Sequence, residues 1–103
     1  MVHQADLFGS IRARYGTTIS VSSRVMTSKT PPAIGMKGVL YRKIPRGGAE
    51  EWLAIADVAI KEPPDGIGTM RLTITDEKKG ALLDGKRVNH FEKGVDVRLT
   101  WEW

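Results

Sequence analysis

The chain has 103 residues, carries 16 lysines and arginines against 12 acids, and contains no cysteine. That length suits one domain with its own apolar core and is short for two. The composition excludes disulfides, thiol nucleophiles and cysteine-ligated zinc or iron–sulfur sites, and no apolar run approaches the roughly 18 residues of a membrane-spanning helix.

The charge is unevenly distributed. Residues 1–46 hold eight basic residues and a single acid, Asp6, for a net +7, while the remainder sums to −3. Such asymmetry marks either a face for an anionic partner or a solvated surface neutralised in the fold. The first 16 residues lack the apolar stretch of a secretory signal. With the absence of cysteine, this leads us to expect a cytoplasmic protein with no membrane partner.

In chain order, residues 4–15 read two ways. Leu7, Ile11 and Tyr15 recur every fourth residue, as on an amphipathic helix ending at Gly16, but a first strand fits as well. Ile19, Val21 and Val25 predict a strand over about 17–26, followed by a polar loop over 27–35. Val39 to Ile44 and Trp52 to Ile60 predict a hairpin, with turn chemistry in Pro45-Arg46-Gly47-Gly48. In its second arm Trp52, Ala54, Ala56, Val58 and Ile60 share one face and Leu53 and Ile55 the other. Apolar residues on both faces predict a strand covered on both sides; a helix competes, since Ala, Glu and Leu favour it, but the β-branched end and Pro63-Pro64 favour the strand.

Pro63-Pro64-Asp65-Gly66 predicts a turn. Thr69 to Thr75 alternates Met70, Leu72 and Ile74 with polar residues, a strand with one buried face. Residues 76–83 predict a short helix with Thr75 as its N-cap and Gly85 closing it. Val95, Val97, Leu99, Trp101 and Trp103 then alternate with polar residues in the clearest strand of the chain, opened by Gly94. The fold class expected from these elements is mainly β. It is a single domain over residues 1–103, an antiparallel β-sandwich or small barrel with one or two short helices.

The search for chemistry is largely negative. His90 and Glu92 share a face if extended, but no nucleophile stands beside them. Ser20, Ser22 and Ser23 lie in a strand-like run and not in a nucleophile elbow. Neither Gly47-Gly48 nor Gly66-Ile67-Gly68 fits a phosphate-binding loop. Asp57 is the one acid in an otherwise apolar strand. We therefore expect no catalytic residues, no metal site and no cofactor, although an enzyme of unrecognised type stays open. The residues that could serve an anionic or macromolecular partner are Arg12, Arg14, Tyr41, Arg42, Lys43 and Arg46. Tyr41-Arg42-Lys43 combines an aromatic ring with two cations, as single-strand nucleic-acid binders do.

Residues 65–101 run from Asp65-Gly66 through a strand with Leu72-Thr73-Ile74-Thr75, a short helical connector with Ala81-Leu82-Leu83 and Gly85 to a closing strand with Val97-Arg98-Leu99-Thr100. This order resembles the immunoglobulin-like β-sandwich domains of bacteriophage tail and baseplate proteins. The resemblance covers about a third of the chain, and the closing strand lacks a Tyr-Asp pair. It implies an assembly role without catalysis and carries over no site residues. The expected function is a non-enzymatic interaction or assembly module with a protein partner, self or other. The alternative is a nucleic-acid-binding small barrel that uses the basic N-terminal part.

Overall fold

A computed structural model of the protein describes residues 4–44, 51–64, 68–78, 80–83 and 85–102. Among the described residues six strands are formed: β1 (Gln4–Tyr15), β2 (Thr18–Met26), β3 (Lys37–Lys43), β4 (Trp52–Glu62), β5 (Thr69–Glu77) and β6 (Asp96–Glu102). They close into an antiparallel barrel in the order β1-β2-β5-β4-β3-β6. Closure pairs β1 with β6, so no strand keeps a free edge. Of the two architectures the patterning allows, the chain adopts the barrel. It has no helix among the described residues, and none is long and apolar enough to cross a membrane.

Period-two alternation fills the barrel interior. Leu7, Leu99 and Leu40 pair across β1, β6 and β3, and Ile19, Leu72 and Ile60 across β2, β5 and β4. All six are at most 2% exposed. Val21, Met70, Val58, Val97 and Trp101 complete the packing. Each such side chain contributes about 1.5–3 kcal/mol of burial, so a barrel of this size is held mainly by its filled centre.

Two segments cap the barrel. At one end residues 27–36 fold over Trp101 and place Met36 against the core. Gly35 N–H donates to the Ile60 carbonyl and Ile60 N–H to the Met36 carbonyl, both at 2.8 Å. At the other end the segment after β5 brings in Phe91 and His90, both buried. Gly94 N–H donates to Ile11 O at 2.8 Å and pins that cap to β1.

One expected helix is absent here, and one open choice between helix and strand resolves as strand. Residues 4–15 form β1, in which Ala5, Leu7, Gly9 and Ile11 all lie buried at period two. The helical spacing of Leu7 and Ile11 arises because the inward position between them is a glycine. A Cβ at Gly9 would collide with the backbone carbonyl of Ser22, so this close approach admits no side chain. Residues 75–77 continue β5 to Glu77, and 78–83 follow without a helical turn among the described residues.

The two-faced pattern in β4 also has a different cause. Leu40 faces Ala56 but Tyr41 faces Ala54, which leaves Ile55 as the extra residue of a β-bulge. The bulge reverses the alternation. Ile55 and Ala56 are both buried, while Trp52 turns outward instead of joining Val58 and Ile60. The turn over 45–48, Asp65-Gly66 and Trp103 lie outside the described residues.

Candidate functional site

Because apolar side chains occupy the interior, the polar and aromatic residues free to meet a partner lie on the outside. Two outer walls differ sharply in chemistry.

The first wall runs across β1, β6, β3 and β4. Register sets Phe8, Arg98, Tyr41 and Ala54 side by side. Trp52 lies over this row with its ring centroid 5.8 Å from that of Phe8 and the planes tilted by 57°. The Arg98 guanidinium sits 5.6 Å from the Phe8 centroid, and its Nη2 donates to Asp6 Oδ2 at 3.0 Å. The Arg98 Nε and Asp6 Oδ1 are buried with no partner among the described residues. Lys43 flanks Trp52. Beside Tyr41 a shallow cavity of about 510 Å³ opens between Lys37, Val39, Asp57, Thr75 and Thr100. Lys78 holds the Asp57 carboxylate at 3.2 Å and that of Asp76 at 3.0 Å, and these two bonds raise the Lys78 pKa.

The second wall runs across β1, β2, β5 and β4. It is a groove of about 740 Å³ with Arg12, Lys93, Lys61 and Arg71 around Thr18, Ser20 and Thr69. The floor is shallow because β2 and β5 present small hydroxyl side chains there. Arg12 and Lys61 both sit at bulges. Ile11 pairs with Val21 but Ala13 with Ser20, and Ile60 pairs with Leu72 but Glu62 with Arg71. A bulge re-aims the extra side chain. Arg12 Nη1 reaches over β2 to donate to Thr69 Oγ1 at 2.8 Å, and Lys61 Nζ reaches over β5 to Thr18 Oγ1 at 3.3 Å. Arg71 is bound to both carboxylate oxygens of Glu62 at 3.1 Å. Tyr15, 74% exposed, stands at the margin.

The residues named from sequence are dispersed by the fold. Arg12 belongs to the basic wall, and Tyr41 and Lys43 to the aromatic wall. Arg14 pairs in register with Ile19 and leans over the barrel mouth. There its Nη2 donates to Glu77 Oε1 at 2.6 Å and its guanidinium lies 4.7 Å from the Phe91 centroid. Arg42 points inward at the same end and is 8% exposed, with Nε donating to the Lys43 carbonyl at 3.2 Å. Burial lowers its pKa and Glu92 partly offsets this, but a guanidinium stays protonated throughout. Arg46 lies outside the described residues.

The negative findings are equally specific. His90 Nε2 is 2.9 Å from the Ala81 carbonyl, to which it donates as one of the buried cap residues. Among the described residues no three His, Asp or Glu side chains gather as a metal would need. Sequence reasoning missed Phe8, Arg98 and Trp52, and also Lys61, Arg71 and Lys93, because only the strand order brings them together. No protein-family model, curated protein or solved structure matches this chain.

Proposed function

We propose that this protein is a non-enzymatic interaction module that binds a macromolecular partner on the outside of its barrel. The observation that carries this reading is the aromatic wall. Phe8, Tyr41 and Trp52 sit on the outer side of their strands, where a solvated barrel would carry polar residues, and each remains partly exposed. Aromatic residues with arginine are the side chains most enriched at protein contact surfaces, and a rigid strand scaffold presents them at low entropic cost.

The partner on this wall is a protein chain, either a second copy or another protein, in keeping with an assembly role. A cytoplasmic setting belongs to the same reading and is supported by the cysteine-free composition.

The test is site-specific photo-cross-linking. A benzophenone amino acid replaces Tyr41 in the producing cell, with Ile34, exposed on the cap, as control. A discrete, light-dependent adduct at position 41 and none at 34 is expected. No adduct at 41, or equal labelling at both positions, overturns the proposal.

A further inference from the structure

We infer that the basic wall is a binding track for single-stranded nucleic acid. The inference rests on the proposed role as a binding module but not on the aromatic wall.

The first argument is charge. Among the described residues no acid pairs with Arg12, Lys61 or Lys93, and the one carboxylate bound at this wall, Glu62, is held by Arg71 at its margin. Arg12 and Lys61 are bonded to neutral hydroxyls. A hydroxyl partner is readily exchanged for a phosphate oxygen, which forms the stronger, charge-assisted bond.

The second argument is placement. Arg12 on β1 and Lys61 on β4 are the extra residues of two separate bulges, and they reach toward each other across the β2–β5 floor. Two bulges on strands that are not neighbours aim cations at one groove. The floor is two strands wide, roughly 10 Å, which accommodates one sugar–phosphate backbone and not the width of a duplex.

The third argument is the exposed ring of Tyr15. It lies one row from the Ala13–Ser20–Arg71 line, where a base swung out from the backbone can stack on it. The groove offers cations, hydroxyls and one exposed ring, contacts open to any backbone and any base face, so binding is sequence-tolerant.

The test uses fluorescence anisotropy with a labelled single-stranded 15-mer, the matching duplex and a sulfated oligosaccharide of equal charge. If four phosphates are neutralised, the logarithm of affinity should fall with the logarithm of salt at a slope of about −2.8, or about 50-fold between 50 and 200 mM. Arg12→Glu with Lys61→Glu should abolish measurable binding, Arg12→Gln with Lys61→Gln should lower the slope by about 1.4, and Tyr15→Ala should weaken binding about fivefold or more. Circular dichroism confirms that each variant is folded, and Lys43→Glu on the opposite wall should change little.

Absence of single-strand binding at low salt overturns the inference. So does equal affinity for all three polyanions, which would mean general charge attraction, or binding lost with Lys43→Glu but kept in the groove variants. A missing cross-link at position 41 leaves these measurements untouched, so the two proposals fail separately.

Discussion

The two outer walls share β1 and β4 yet treat charge in opposite ways. On the aromatic wall two of the cations are already matched to acids: Arg98 is bound to Asp6 and stacked near Phe8, and Lys78 joins Asp57 to Asp76. Those contacts organise the surface and leave its rings as the groups available to a partner. On the basic wall Arg12 and Lys61 lean on threonine hydroxyls. The same residue type is thus a structural element on one wall and, under the proposed binding role, an exchangeable donor on the other. The partner atom decides which, and counting lysines and arginines along the chain does not reveal it.

The sharpest way to break the comparison is to damage what both walls share. Trp101→Ala removes an indole that is 2% exposed beneath β1, β6 and β3. The expected cost is about 3–5 kcal/mol, read as a large drop in thermal midpoint, and both binding activities should disappear together. Gly9→Ala should act in the same direction at smaller scale, about 1–3 kcal/mol, because its Cβ meets Ser22 backbone and not a yielding side chain.

The next variant separates the walls. Phe8→Ala deletes one ring of the Phe8–Trp52 pair and the surface beneath Arg98. It should cost about 1–2 kcal/mol and shift the tryptophan emission, while oligonucleotide affinity stays at the parent value. Arg12→Gln is the converse. Its melting should change by no more than about 0.5 kcal/mol, while single-strand binding weakens. Similar melting losses for Phe8→Ala and Arg12→Gln would dissolve the distinction drawn between a structural and an exchangeable cation.

The smallest effect concerns pH. Hydrogen bonds to Asp76 and Asp57 raise the Lys78 pKa above its unfolded value. Folding therefore favours the protonated amine, and this contribution is fully present below the unfolded lysine pKa. It is lost as pH rises through the folded one. The midpoint difference between the parent and Lys78→Met should hold at neutral pH and vanish beyond the ordinary lysine range. A difference that persists into strong alkali would show that the lysine stem, and not its charge, is what matters.

Strands with unbroken alternation were legible from sequence. Thr69–Thr75 and the run of Val97, Leu99 and Trp101 needed only period two, and both are as read. Where the reading failed or stayed open, a backbone irregularity intervened. Gly9 occupies an inward position without contributing an apolar side chain, so β1 imitates a helix. The bulge at Ile55 makes a one-sided strand look two-sided and hides the outward turn of Trp52. The candidate site suffered most, because the bulges at Arg12 and Lys61 depend on register between strands and have no local signature. Arg12 was identifiable as a cation of interest. Its partners Lys61, Arg71 and Lys93 come from the half of the chain whose net charge is negative.

The pairing of β1 with β6 bears on how this molecule comes into being. Gln4 lies opposite Glu102 and Ser10 opposite Asp96, so the seam joins segments 86 to 98 residues apart in sequence. During synthesis the first strand must wait for the last before its inner row can be covered. A long wait for distant partners predicts slow refolding, in the millisecond-to-second range of other non-local β topologies. Until the seam closes, β1 offers a bare ladder edge with Leu7 and Ile11 unburied, and that interval is when the nascent protein is most exposed to mispairing with its own copies.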